Sequence, residues 1–180
     1  MLRKTFVHLI YLLIYYYNFI LKICSIDIIL KNEELSMEEF ALSTKNFSED
    51  IRVICNEPIY YISPYGRNKM NIQSNIFFYS ENGTIFDFQN FYKTSLQADF
   101  DIADKKIIFK NIIFYNYNDN LLEGQYIVTV LTTTDRFQVQ FDNCTFIDNQ
   151  STLLNAKYRY TKLTTTQLEP HVLFKDCRFM

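Results

Sequence analysis

The residue types best suited to chemistry fall in three places. Asp99 and Asp101 flank Phe100, and Asp104 follows shortly after. Alternation along a strand puts Asp99 and Asp101 on one face, the outer one. Carboxylates so placed can hold a cation or line a substrate-facing groove; the plainer reading is a solvated strand face. Asp135-Arg136 sets opposite charges side by side at a turn, and Gln167-Leu168 replaces it where the chain repeats. Lys157, Arg159 and Lys162 lie on or beside one strand with Tyr158 and Tyr160. Aromatics interleaved with bases on an exposed sheet suit carbohydrate stacking or anionic polymers. The plainer alternative makes Tyr158 and Tyr160 core, with Arg159 on the solvent side. His8 and His171 have no partner for nucleophilic work, and no Gly-rich phosphate loop or metal-spaced Cys/His set is visible. No catalytic residue, cofactor site or metal set is assigned on these grounds, and Asp99 and Asp101 remain the metal candidates.

The elements that position these residues are written in a repeat. Residues 107–138 lie over 139–170 without gaps at an offset of 32, with 11 identities in 32 positions. They include Phe109/Phe141, Asn111/Asn143, Phe114/Phe146, Leu121/Leu153, Tyr126/Tyr158 and the run Leu131–Thr134 over Leu163–Thr166. A third copy opens at Val172–Phe179, one residue later in phase, and the chain ends inside it. A period of this length signals a solenoid, in which each unit buries its apolar face only against its neighbours.

Within a unit, Val139 and Phe141 point one way and Gln140 and Asp142 the other. Asn143 breaks the alternation, after which Cys144 and Phe146 form the next inward pair. Asn tolerates the left-handed conformation, so it can turn the chain between two strands. Asn111, Asn143 and Asp176 share that position and are expected to stack as a polar corner ladder. Phe109, Phe141 and Phe174 are expected as one core column, and Phe114, Phe146 and Phe179 as another. Ile112, Cys144 and Cys177 share an apolar slot, which makes the cysteines packing groups; a disulfide between adjacent rungs is the alternative. Short strands are expected over 27–30, 51–55, 59–62, 75–79, 84–88, 96–102, 107–110, 112–115, 127–131, 137–141, 144–147, 158–163 and 172–179. Residues 148–157 are expected to project as a loop, and the Thr132–Thr134 and Thr164–Thr166 runs to stack as polar turns. Ser36-Met37-Glu38-Glu39 fits a capping box, so a helix over 33–43, with Leu35, Phe40 and Leu42 on one face, is expected to cover the open end.

The pattern Phe141-Asp142-Asn143-Cys144-Thr145-Phe146, with Asn149 following, resembles the repeats of right-handed parallel β-helix proteins. The pectin-lyase-like superfamily, and within it the polymorphic outer-membrane-type repeats, are the families it is similar to. The resemblance covers 107–180 well and 51–106 loosely; Leu121-Leu122 and Leu153-Leu154 stand where the outer-membrane repeats carry Gly-Gly-Ala-Ile. It implies an all-β, right-handed parallel β-helix; the expected helix over 33–43 adds a short N-terminal cap, and the end inside a third copy makes the solenoid read as incomplete at the C-terminus. It also implies two activities: a non-enzymatic adhesion, structural or polysaccharide-associated scaffold, or a polysaccharide lyase or glycoside hydrolase whose catalytic rungs are missing or degenerate. Only the second would need Ca²⁺.

The N-terminus sets the expected compartment. Met1-Leu2-Arg3-Lys4 is positive and Thr5–Ile23 is almost wholly apolar, interrupted by His8, Asn18 and Lys22. Residues 1–25 therefore read as a secretory signal peptide, with an uncleaved anchor as the alternative and the only route to a membrane. Residues 26–50 would form the N-terminal cap and 51–180 the rungs. Four sequons begin at Asn46, Asn82, Asn143 and Asn149, of which Asn46 and Asn149 are the surface candidates. With 3 Gly and 3 Pro against 17 Phe and 14 Tyr, turn formation falls to Asn, Asp and Ser. The net charge of −2 comes from mixed signs without a basic stripe, which argues against a nucleic-acid partner and leaves carbohydrate or a surface protein.

Overall fold

The computed structural model describes residues 25–33, 36–64, 68–90, 94–118, 126–150, 152–159 and 170–180. The expectations for 1–24 lie outside the described residues, as do Tyr160, Lys162 and the second Thr run. Thirteen strands follow in order: β1 Ser25–Ile29, β2 Asp50–Ile54, β3 Ile59–Tyr61, β4 Asn68–Asn71, β5 Ile76–Asp87, β6 Leu96–Phe100, β7 Lys105–Tyr115, β8 Val128–Thr132, β9 Phe137–Asp142, β10 Thr145–Ile147, β11 Leu154–Tyr158, β12 Val172–Lys175 and β13 Arg178–Phe179. One helix, α1 Ser36–Ser43, and a 3-10 turn, Thr44–Asn46, lie between β1 and β2.

Every strand pairing is parallel. The chain winds a parallel β-solenoid of about four turns, an all-β fold. A first face stacks β1, β2, the first half of β5, the first half of β7, β9 and β12. A second stacks β3, the later halves of β5 and β7, β10 and β13. These two run together into one nine-stranded sheet, and a third face is the separate sheet β4-β6-β8-β11.

The turns lengthen along the chain. Ser25 pairs with Asp50 and Ile51 with Ile76, steps of 25 residues. Ile76 then pairs with Ile107, Ile107 with Val139 and Val139 with Val172, steps of 31, 32 and 33. Strand β5 crosses its corner through Ser80-Glu81-Asn82-Gly83, with the register broken between Tyr79 and Thr84, where β7 needs only Asn111. Gly83 supplies φ +87° there, a backbone that a side chain disfavours.

The core is built of translated columns. The Phe78, Phe109, Phe141 and Phe174 rings stack at centroid spacings of 5.1, 5.4 and 4.9 Å. Phe114, Phe146 and Phe179 stack at 4.9 and 5.1 Å. Parallel in-register pairing sets these spacings, because neighbouring strands sit about 4.8 Å apart and equal residues face equal residues. Burying each Phe contributes about 2–3 kcal/mol. At the last rung, Phe174 and Phe179 are 39% and 58% exposed.

Helix α1 packs against this core through Met37, Phe40 and Ala41, with the Phe40 ring 5.4 Å from Phe78. Leu42 is 58% exposed, contrary to the expected Phe40–Leu42 face. Two residues are 200° apart on a helix at 3.6 residues per turn, so the i, i+3, i+4 set 37, 40, 41 is buried instead. The Ser36 hydroxyl does not close a capping box either; it donates to the Lys31 carbonyl. Thr44 continues the buried set, donating to Ala41 O at 2.7 Å and accepting from Asn71 N–H at 2.9 Å, which pins the turn to β4.

The largest departure from expectation lies at β11. Residues 154–158 are a strand, where a projecting loop over 148–157 and a strand over 158–163 were expected. Leu154 pairs with Val128 and Tyr158 with Thr132, an offset of 26 in place of 32. The reason is burial. At an offset of 32, Lys162 would stand in the inward column of Ala98 and Val130, which are 0% exposed. Leu154, Ala156 and Tyr158 fill the three inward positions without burying a charge.

Candidate functional site

Asp99 lies on the third face with its side chain outward by alternation, yet it is 2% exposed. Its carboxylate accepts from Gln97 Nε2 at 2.7 Å and Arg159 at 2.7 Å, and Lys69 Nζ lies at 3.0 Å. Arg159 follows β11 and reaches back across β8 to β6, which roofs the carboxylate over. The expected solvated face is thus a closed ionic cluster at this residue. Asp101 stays outside it, half-exposed, accepting from Thr133 Oγ1 at 3.3 Å with Arg159 at 4.0 Å. Among the described residues no three His, Cys, Asp or Glu side chains gather as a metal set. Arg136 of the Asp135-Arg136 turn pairs with exposed Asp104 at 3.1 Å, a surface bridge contributing about 0–1 kcal/mol. Lys157 is exposed, and Tyr158 is 43% exposed with its ring 6.2 Å from Phe137.

The corner between the first and second faces is ordered by side-chain amides. Asn111, Asn143 and Asp176 have φ of 57°, 51° and 53°, the left-handed backbone that Asn and Asp tolerate best. Asn143 Nδ2 donates to Asn111 Oδ1 at 2.8 Å, and Asn111 Nδ2 donates to Ser80 O at 2.9 Å. Cys144 and Cys177 occupy the inward slot beside the corner as free thiols, donating to Phe109 O and Phe141 O at 3.3 and 3.4 Å. Burial pushes the Cys144 and Cys55 thiols up to about 12.

Of the sequon candidates, Asn46 is exposed on the 3-10 turn. Asn149 is half-buried with both ends of its amide engaged: Nδ2 donates to Phe114 O at 2.9 Å, and Oδ1 accepts from Tyr117 N–H at 3.0 Å.

Comparison with protein-family models, curated proteins and solved structures finds no match. The chain's own surface therefore supplies the functional argument.

One surface not singled out from the sequence stands on the outer side of the first face. Phe77 and Tyr79 point outward on β5, opposite the buried Ile76 and Phe78. Register places Arg52 and Ile108 on either side of Phe77, and Ile54 and Lys110 on either side of Tyr79. Arg52, Phe77, Phe78, Tyr79, Ile108 and Lys110 line a shallow cavity of about 340 Å³. Arg52 donates twice to the Asp27 carboxylate, which raises the guanidinium pKa further. Lys110 lies 3.8 Å from Asp142, which Lys175 also approaches at 3.9 Å. Alternation alone puts Phe77 and Tyr79 outward; their basic neighbours belong to other turns, and only the register reveals them.

Proposed function

We propose that this chain is an exported β-helical scaffold, at the cell surface or outside the cell, that associates with glycans without catalysing their cleavage. The observation that carries this reading is the Phe77–Tyr79 pair on a flat sheet face between Arg52 and Lys110. Aromatic faces pack against the C–H faces of a sugar ring, and flanking cations serve as hydrogen-bond donors to its oxygens. The apolar N-terminal segment supports export. The corner Asn ladder and the Phe columns support placing the fold in the pectin-lyase-like superfamily. The buried Asp99 carboxylate, held by Gln97, Arg159 and Lys69, favours a scaffold over a lyase, since an acid/base group must reach the proton it transfers.

Two measurements test the proposal. A tagged chain expressed with its own N-terminus is expected in the secretory pathway, in the medium or on the cell surface. Purified chain is expected to sediment with insoluble polysaccharides and to release no unsaturated sugar products from uronic polymers with Ca²⁺. Retention in the cytosol would remove the export half. Product release would replace the scaffold with the lyase.

A further inference from the structure

We infer that the glycan site continues around the Asn corner onto the second face, and that its ligand is a neutral oligosaccharide. This inference rests on the glycan reading above. A second depression, of about 320 Å³, lies beyond the corner and is lined by Glu81, Asn82, Asn111, Asn143, Thr145 and Arg178 among others. The two depressions are joined through the chain itself. Tyr79 and Lys110 line the first, while Glu81 and Asn111 line the second one or two residues later. A chain of sugars lying along β5 and β7 would meet apolar ring faces first and side-chain amides next.

The second depression offers what hydroxyl groups need. The ladder uses one N–H of Asn111 and one of Asn143, leaving each amide a second N–H, and leaving Asn143 its oxygen. The side chains of Glu81, Asn82, Thr145 and Arg178 make no hydrogen bond or ion pair among the described residues. Together they present both donors and acceptors, which matches the dual character of a sugar hydroxyl.

Charge selects the class of ligand. Both cations of the aromatic half already face carboxylates, Arg52 through two hydrogen bonds to Asp27 and Lys110 beside Asp142. The polar half carries one acid, Glu81, and one base, Arg178. An acidic sugar would have to displace Asp27 or Asp142 in the first depression, or meet Arg178 in a second depression that Glu81 also lines. A neutral one displaces neither.

Calorimetric titration of the purified full chain with cellohexaose, mannohexaose and hexagalacturonate tests this. A neutral hexasaccharide is expected to bind with little change when salt is raised. Tyr79→Ala and Thr145→Val are each expected to weaken it by about tenfold, with circular dichroism unchanged. Both positions face outward, and Glu81→Gln gives a second far-side variant. If Tyr79→Ala abolishes binding while Thr145→Val and Glu81→Gln leave it untouched, the site stops at the corner and only this inference falls. Tighter, salt-sensitive binding of hexagalacturonate overturns the neutral assignment alone. Binding of none of the three overturns this inference and the glycan reading together.

Discussion

Asn143 donates a side-chain N–H to the side-chain oxygen of Asn111 at 2.8 Å, across a step of 32 residues. Both are held in the left-handed region, and the chain of amides continues to the Ser80 carbonyl. The direction of donation runs toward the N-terminal end. Asp176 holds the same backbone conformation one rung on, but an ionised carboxylate has acceptors only. It cannot donate to the Asn143 oxygen, so the ladder stops there for a chemical reason.

Asn143→Ala is expected to cost about 2 kcal/mol, from the left-handed backbone and the lost hydrogen bond together. Asn143→Gly keeps the backbone free and should cost about half as much. Asp176→Asn supplies the missing donor and should gain about 0.5–1 kcal/mol. Denaturant unfolding of the three variants measures the order; an Ala variant as stable as the Gly variant would remove the backbone from the account.

The Phe column predicts a gradient. Phe109 is 0% exposed between Phe78 and Phe141, and Phe109→Ala should cost about 3–5 kcal/mol. Phe174 is 39% exposed and stacks on Phe141 alone, so Phe174→Ala should cost about 1–2 kcal/mol. Equal losses in urea unfolding would contradict the translated-column picture.

Removing Arg159 leaves the buried Asp99 carboxylate with Lys69 and Gln97. Because Arg159 is itself 38% exposed, Arg159→Met should cost about 1–2 kcal/mol, below the range for a fully buried pair. Asp99→Leu removes the charge that needs a partner. In that background Arg159→Met should have little further effect, and a double-mutant cycle reads the coupling directly.

Three described cysteines differ in reactivity. Burial holds the Cys55 and Cys144 thiols up to about 12, so at pH 8 neither presents a thiolate. Half-exposed Cys177 should therefore be alkylated first by iodoacetamide, with the other two modified only after unfolding; mass mapping of the labelled peptides decides it. The sign for stability follows. A folded pKa raised above the ordinary value of 9.0 leaves the contribution whole below that value and removes it as pH climbs from about 9 toward about 12.

The Phe columns and the Asn corner were legible because the strand period of two and the repeat pointed to the same residues. Strand β4 was not: its inward positions are Asn68 and Met70, and buried Asn68 is accommodated by donating to Ser63 O at 2.7 Å. The register of β11 was hidden because sequence identity favoured one offset and the burial cost of Lys162 favoured another. Asp99 read as a surface acid because the group that roofs it stands 60 residues away. Alternation encodes direction, while burial depends on neighbours from other turns.

The lengthening turns bear on how the molecule assembles. Each ladder joins residues between 25 and 33 positions apart, so no ladder reaches beyond the adjoining turn although every strand is parallel. Loop-closure entropy changes by only about 0.2 kcal/mol over that range, and each rung is added on nearly equal terms. Growth can begin at any rung and spread to its neighbours like a zip. The Arg159–Asp99 bond, 60 residues apart, needs both the β6–β8 and the β8–β11 ladders, and so reports that two successive rungs have stacked.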